Sequence, residues 1–242
     1  MNILRDIAYK TVENNNLLLD VYLPEKEHFS TILFFHGGGL EAGDRKLPAQ
    51  IYEAVTARGF ALVSAEYRMY PTAKFPDYLV DAADAAAWVL KEKASWGAGD
   101  GLFLCGSSAG AYITMMLCMD PQYLSGAGIG ENDITGFISD SSQQFCHFNV
   151  LREMGIDSRL EVMNDRAPIS FVQPGKTIRP LLLIYYTDDM KCRPEENKLI
   201  YANMQHVMGC ENVEIMELPG KHCSDSWRAF RFFCDFAKRT MN

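Results

Sequence analysis

The chain has 242 residues, of which 48% are hydrophobic, and this is enough to bury one substantial core. Its 31 acidic residues outnumber its 23 basic ones, and the net charge of −8 argues against a nucleic acid or an anionic membrane as a partner. Seven scattered cysteines without a Cys-x-x-Cys pair indicate neither a disulfide framework nor a zinc site. We expect no metal and no cofactor.

Apolar runs alternate with longer mixed stretches along most of the chain. Residues 6–10 and 17–23 are predicted to form two strands that pair as an antiparallel edge. Further strands are predicted at 31–35, 60–65, 102–105, within 126–138, at 181–186 and at 213–218. Helices are predicted at 47–58, 77–93, 109–118, 195–208 and 226–239. This alternation predicts a parallel sheet whose functional edge lies at the carboxyl ends of its strands.

The sequence around Ser108 has the form Gly-x-Ser-x-Gly, with Gly106 and Gly110 as the flanking residues. It lies between an apolar run typical of a buried strand and an apolar stretch typical of a buried helix. A nucleophile on a sharp strand-to-helix turn needs glycines at these positions because backbones approach closely there. The pattern therefore indicates a nucleophilic serine. The alternative is that Ser107 and Ser108 only cap the helix.

A second motif, His36 followed by three glycines, comes directly after the strand predicted at 31–35. Three glycines in a row leave bare backbone amides, which can donate hydrogen bonds to a developing oxyanion. The alternative is a flexible loop. The position of the motif, straight after a hydrophobic strand and upstream of the serine, favours the oxyanion interpretation.

Together the two motifs resemble the α/β-hydrolases of the HGGG type, close to the hormone-sensitive-lipase-like and carbohydrate esterases and to kynurenine formamidase. Further matching segments are Tyr67-Arg68-Met69-Tyr70-Pro71, Phe75-Pro76 with Asp81, and Ala167-Pro168-Ile169-Ser170. The resemblance implies an α/β-hydrolase fold, with a mostly parallel central sheet of about eight strands flanked by helices. It also implies an ion pair between Arg68 and Asp81. One departure is Ser107, where relatives often carry aspartate.

A nucleophilic serine needs a histidine base that a carboxylate holds in one tautomer. His222 follows the last predicted strand, where this fold places its histidine. The carboxylate should follow the strand at 181–186, and the relatives' Gly-Thr-x-Asp pattern favours Asp189. Asp188 is the alternative, and Asp140 is a minor one.

The resemblance implies a mechanism in which Ser108 attacks an ester carbonyl while His222 accepts its proton and Asp189 stabilises the imidazolium. The amides of Gly38, Gly39 and Ala109 are expected to bind the tetrahedral oxygen.

We expect one domain over residues 1–242, with residues 136–176 forming a small lid insertion. Its aromatic and methionine side chains are expected to line the site: Phe145, His147, Phe148 and Met154. Without a large amino-terminal cap the enzyme suits small-molecule esters with short acyl chains, such as acetyl groups on carbohydrates. Amide hydrolysis like that of kynurenine formamidase, peptidase activity and a non-catalytic binding module are the alternatives.

The first residues run into polar sequence and do not resemble a secretion signal, and no apolar segment reaches 18 residues. We therefore expect a cytoplasmic protein that binds no membrane.

Overall fold

The computed structural model describes residues 2–224 and 226–241, and the strands in these ranges form one eight-stranded sheet. The strands are β1 (Asn2–Val12), β2 (Asn15–Leu23), β3 (Phe29–Phe35), β4 (Ala61–Ala65), β5 (Ala98–Ser107), β6 (Gly136–Asp140), β7 (Leu181–Asp188) and β8 (Val213–Lys221). Their order in the sheet is β1-β2-β4-β3-β5-β6-β7-β8. Strands β3 to β8 pair in parallel, whereas β1 and β2 are antiparallel to their neighbours. The predicted sheet and its antiparallel edge are confirmed.

Helices cover both faces of this sheet. They are α1 (Ala49–Thr56), α2 (Asp77–Glu92), α3 (Ala109–Met119), α4 (Gln122–Gly126), α5 (Phe148–Glu153), α6 (Arg193–Asn203) and α7 (Ser226–Met241). Alternate residues of a strand face opposite sides of the sheet, so the central strands contribute side chains to a hydrophobic core on each face. Ile32 and Phe34 pack with α1 and α7, whereas Leu33 and Phe35 pack with α2 and α3. The result is a three-layer arrangement in which α3 is buried along its whole length.

Several predicted boundaries differ from the structure, among them the start of the lid segment and the end of the helix predicted at 195–208. Gly136–Asp140 is strand β6, which is buried and pairs with β5 and β7, so the segment that leaves the sheet begins at residue 141 and not at 136. The strand predicted within 126–138 begins only at Gly136, so it overlaps the start of the predicted lid insertion. The helix predicted at 195–208 ends at Asn203, and Met204–Met208 continue as a wider π-helical turn.

The predicted ion pair between Arg68 and Asp81 is confirmed. Arg68 Nε and Nη2 donate to the two carboxylate oxygens of Asp81 at 2.8 and 2.9 Å. Lys10 Nζ from β1 donates to the same carboxylate at 2.6 Å. The Asp81 side chain is completely buried, and its negative charge is compensated by Arg68 and Lys10. These contacts connect the edge strand β1 to α2.

None of the helices in residues 2–224 and 226–241 has both the length and the apolar character needed to cross a bilayer. No group of three or more His, Cys, Asp or Glu side chains in the same ranges could hold a metal ion.

Candidate active site

Ser108 occupies the sharp turn between β5 and α3. Its backbone has φ 55° and ψ −117°, and its amide donates a 2.8 Å hydrogen bond to the carbonyl oxygen of Asp140 on β6. A positive φ is uncommon outside glycine, and this strained turn places a serine side chain at the carboxyl edge of the sheet.

The two flanking glycines are required by close packing. A Cβ atom on Gly106 would lie 2.1 Å from the carbonyl oxygen of Gly110, and one on Gly110 would lie 2.0 Å from the carbonyl oxygen of Phe35. Any larger residue would push the turn away from β3. The Gly-x-Ser-x-Gly spacing therefore follows from the approach of three backbone segments.

His222 lies between Ser108 and Asp189. Its Nε2 is 2.8 Å from Ser108 Oγ, and its Nδ1 is 2.5 Å from Asp189 Oδ1. Asp189 follows β7, and its side chain is fully buried, whereas Asp188 is an exposed residue at the end of β7. The structure thus brings together the three side chains that the sequence singled out, and it places Asp189 against the histidine.

Ser141, which the sequence analysis did not identify, completes this arrangement. Its hydroxyl donates to the carboxylate of Asp189 and lies 2.9 Å from Nδ1 of His222. The backbone amides of Tyr186 and Met190 also donate to Asp189, at 3.2 and 2.7 Å. The only signal for Ser141 in the sequence is its position as the polar residue directly after β6.

The two buried carboxyl groups near His222 have opposite pKa shifts. Burial raises the pKa of Asp189, but hydrogen bonds from His222 and Ser141 outweigh this effect, and the net pKa lies below its usual value. Burial raises the pKa of Asp140 to about 6, although the Ser107 hydroxyl donates to this carboxylate at 2.8 Å. Asp189 therefore keeps its charge to a lower pH than Asp140 does, as suits the partner of an imidazolium.

The glycine motif forms a tight loop beside Ser108. Gly38 and Gly39 have φ values of 118° and 67°, and a Cβ on Gly38 would lie 1.9 Å from the carbonyl oxygen of Ala42. A Cβ on Gly37 would lie 3.2 Å from Cβ of Ser108, so the loop passes against the serine. Ala109, the third predicted oxyanion residue, is the first residue of α3 and is buried.

His36 supports this loop as a neutral side chain. It is buried, its ring stacks on that of Tyr67 with 4.5 Å between centroids, and the Tyr67 hydroxyl donates to its carbonyl oxygen at 2.8 Å. Burial lowers the pKa of His36. These contacts give the residue a structural role at the start of the glycine motif.

Helix α5, from the segment between β6 and β7, lies against the glycine loop. Asn149 Nδ2 donates a 2.9 Å hydrogen bond to the carbonyl oxygen of Gly39. The ring of Phe148 lies so close to Gly39 that a Cβ there would be 2.9 Å from its Cζ. Asn149 has no motif of its own, which is why the sequence did not reveal it.

The four residues predicted to line a lid have different environments. Phe148 packs on the glycine loop, and Phe145 is half-buried. His147 is buried between the rings of Tyr112 and Phe148, and its Nδ1 accepts the Asn149 amide. Met154 is exposed.

A mostly parallel eight-stranded sheet, with a serine on the β5–α3 turn and a histidine after β8, defines an α/β-hydrolase. More particularly, the chain belongs to the BD-FAE family, whose model matches residues 19–158. The matched region contains Ser108 and the glycine motif and ends before Asp189.

Curated relatives and solved structures agree with this assignment. Probable carboxylesterase 13 of Arabidopsis thaliana is 32% identical over 157 residues, which are 55% of this chain and 47% of that protein. Esterase LipC of Mycobacterium tuberculosis is 25% identical over 228 residues, which are 84% of this chain and 55% of that protein. The chain thus spans about half the length of these relatives.

Among solved structures, Thermogutta terrifontis esterase 2 phosphoramylated by tabun matches with a TM-score of 0.76 and 20% identity, over 97% of this chain and 93% of that chain. The propionate-bound form matches with a TM-score of 0.74 and 21% identity, over 97% and 92%. At this identity the likeness establishes the fold.

Proposed function

We propose that the protein is a serine esterase that hydrolyses small carboxylic esters through Ser108, His222 and Asp189. The observation that carries the proposal is the continuous chain of contacts from Ser108 Oγ to His222 Nε2, 2.8 Å, and from His222 Nδ1 to Asp189 Oδ1, 2.5 Å. Both distances are those of hydrogen bonds, and the order of the residues along the chain is the order this fold uses.

In the first half of the reaction, Ser108 Oγ attacks the ester carbonyl carbon and its proton passes to His222 Nε2. The amides of Gly38, Gly39 and Ala109 donate to the oxyanion of the tetrahedral intermediate. When the bond to the alcohol oxygen breaks, His222 returns the proton to the leaving alcohol and an acyl-serine remains.

In the second half, water attacks the acyl carbonyl and His222 removes its proton. Collapse of the second tetrahedral intermediate releases the carboxylic acid and restores the Ser108 hydroxyl. Throughout, the Asp189 carboxylate accepts a hydrogen bond from the Nδ1–H group of His222. This keeps the proton on Nδ1 and leaves Nε2 free to accept a proton from Ser108 or water.

We further propose that the acyl chain is short, with acetyl groups on carbohydrates as the substrate class. The support is the position of α5, whose Phe148 packs directly on Gly39, one of the proposed oxyanion residues. Solved structures of Thermogutta terrifontis esterase 2 include propionate-bound and butyrate-bound forms, which agrees with short acids. In this proposal the segment from residue 141 to 176 acts as the lid within a single domain.

The experiment is a kcat/KM series over p-nitrophenyl esters from C2 to C10, with acetylated xylo-oligosaccharides, N-formylkynurenine and aminoacyl anilides beside it. Each methylene gains about 0.8 kcal/mol only where apolar surface receives it, so we expect a maximum at C2 to C4 and a steep fall by C8. A rise through C8 would reject the short-acyl proposal. Faster turnover of the formamide or the anilides would reassign the activity to amide hydrolysis.

A further inference from the structure

A cavity of about 520 Å³ lies next to the candidate active site. Two of its lining residues also belong to the site. Phe148 packs on Gly39 of the glycine loop, and the Met190 amide donates to Asp189 at 2.7 Å. The cavity therefore borders the part of the site formed by α5 and by the residues that follow β7.

The charge of the cavity differs from that of the protein. Its ionisable lining comprises four cations and two carboxylates: Arg152, Arg159, Lys191, Arg193, Glu161 and Glu196. The whole chain carries a net charge of −8. The lining is therefore less acidic than the protein as a whole, which lowers the electrostatic barrier to an anion.

Two of these cations already have close partners outside the cavity lining. Arg152 Nη1 lies 2.9 Å from Glu41, and Arg159 Nη2 lies 2.6 Å from Asp157. Arg193 differs from both, because it is the buried one.

Arg193 is only 5% exposed, and its Nε and Nη1 atoms have no hydrogen-bond partner. Its Nη1 lies 3.9 Å from Oε2 of Glu196, which is beyond hydrogen-bond distance. That oxygen already accepts the backbone amide of Gln144 at 2.6 Å. Glu196 thus lies within ion-pair distance but leaves the Nε and Nη1 donors unpaired, and because buried donors are almost always paired, these two call for an acceptor from outside the chain.

The backbone reinforces this charge. Arg193 is the first residue of α6, and the amino terminus of a helix carries a partial positive charge. Arginine is also the side chain best suited to carboxylates.

We propose that the ester substrate carries a carboxylate group and that this cavity binds it, with Arg193 as the principal contact. The inference rests on the proposed esterase function, since it assigns a substrate class to the same site. It adds one requirement on the substrate, a carboxylate group, which neither the fold nor the catalytic residues impose.

The test compares esters that differ only in a carboxylate. Mono-p-nitrophenyl esters of succinate, glutarate and adipate are assayed against neutral acyl esters of the same chain length, and 4-acetoxybenzoate is assayed against its methyl ester. The first set places the carboxylate on the acyl part, and the second places it on the alcohol part. We expect at least one anionic ester to be preferred by kcat/KM.

Replacing Arg193 identifies the residue responsible. In Arg193→Met the anionic-to-neutral ratio of kcat/KM should fall by about 10- to 100-fold, as expected for loss of a hydrogen bond to a charged group. Arg239→Gln is the control, because it also removes one positive charge. Arg239 pairs with Glu214 near the amino end of β8, whereas the site lies at the carboxyl ends of the strands. This control variant should keep the wild-type ratio. If Arg193→Met does not fold, Arg193→Lys, which keeps the charge but lacks the guanidinium, should still lower the ratio.

A binding measurement separates this inference from the esterase proposal. Titration of monomethyl adipate and monomethyl succinate into Ser108→Ala by calorimetry needs no turnover, and binding should disappear in Ser108→Ala/Arg193→Met. Turnover of neutral esters without any anionic preference, together with no binding in Ser108→Ala, would overturn the carboxylate site while leaving the esterase proposal intact. Binding without turnover of any ester by the wild-type protein would reject the esterase proposal alone.

Discussion

The side-chain amide of Asn149 donates a 2.9 Å hydrogen bond to the main-chain carbonyl oxygen of Gly39, and so links α5 to the glycine loop. Both residues lie within the same wall of the site, and Asn149 is completely buried. A carbonyl held in this way fixes the orientation of the peptide units on either side of it. The loop's amides are then aligned before a substrate binds, which is the condition for efficient oxyanion stabilisation.

Removing this contact should impair catalysis more than binding. Asn149→Leu keeps the branched shape of the side chain but loses the donor, and we expect kcat on p-nitrophenyl acetate to fall by about fivefold with a smaller change in KM, since one hydrogen bond contributes about 1 kcal/mol. Asn212→Leu is the matched control, because Asn212 makes the same kind of bond to the Ile178 carbonyl. This bond lies at the amino ends of β7 and β8, whereas the site lies at their carboxyl ends. Equal losses of kcat in the two variants would contradict a specific role for Asn149.

The choice of Asp189 over Asp188 can be tested by amidating each. Asp189→Asn should set the wrong tautomer of His222 and lower kcat by on the order of 10³ to 10⁴. Asp188→Asn alters an exposed side chain, so its kcat should stay within about threefold of the wild type. The reverse ranking on p-nitrophenyl acetate would transfer the role to Asp188.

Asp140 should make stability depend on pH in a defined direction. Burial raises the pKa of its carboxyl group to about 6, whereas an unfolded aspartate has a pKa of about 3.9. As the pH rises from about 4 to about 6, the unfolded state loses this proton first, so the folded state becomes relatively less stable. A shift of two units corresponds to about 3 kcal/mol above pH 6.

Asp140→Asn removes this titration while leaving an oxygen for the Ser107 hydroxyl. The free energy of unfolding of the variant, minus that of the wild type, should therefore increase by up to about 3 kcal/mol between pH 4 and pH 7. Urea unfolding at four pH values across this range measures it. A difference that does not change with pH would mean that the Asp140 carboxyl ionises equally in the folded and unfolded states.

Local signals were sufficient for most of the fold and for the central residues of the site. The apolar runs of β3, β5 and β7 are buried between neighbouring strands, and the glycines around Ser108 reflect backbone contacts, so both leave a pattern in the sequence. The order of Ser108, Asp189 and His222 follows from the fold that those patterns indicate.

Residues whose roles depend on tertiary contacts left no such pattern. Ser141, Asn149 and Arg193 act on the site from the irregular segment after β6 and from the start of α6. Their partners are distant in sequence, and single serine, asparagine and arginine residues are too common to stand out. The boundary of the insertion was misplaced for a related reason, because β6 is only five residues long.

The proposed function depends above all on Ser108 being an activated nucleophile. The intact mass of the protein after incubation with a fluorophosphonate probe, followed by peptide mapping, tests this. We expect one adduct per chain, located on Ser108, absent from Ser108→Ala and retained in Ser107→Ala. An unlabelled wild-type protein, under conditions that label a control esterase, or an adduct on another residue would contradict it.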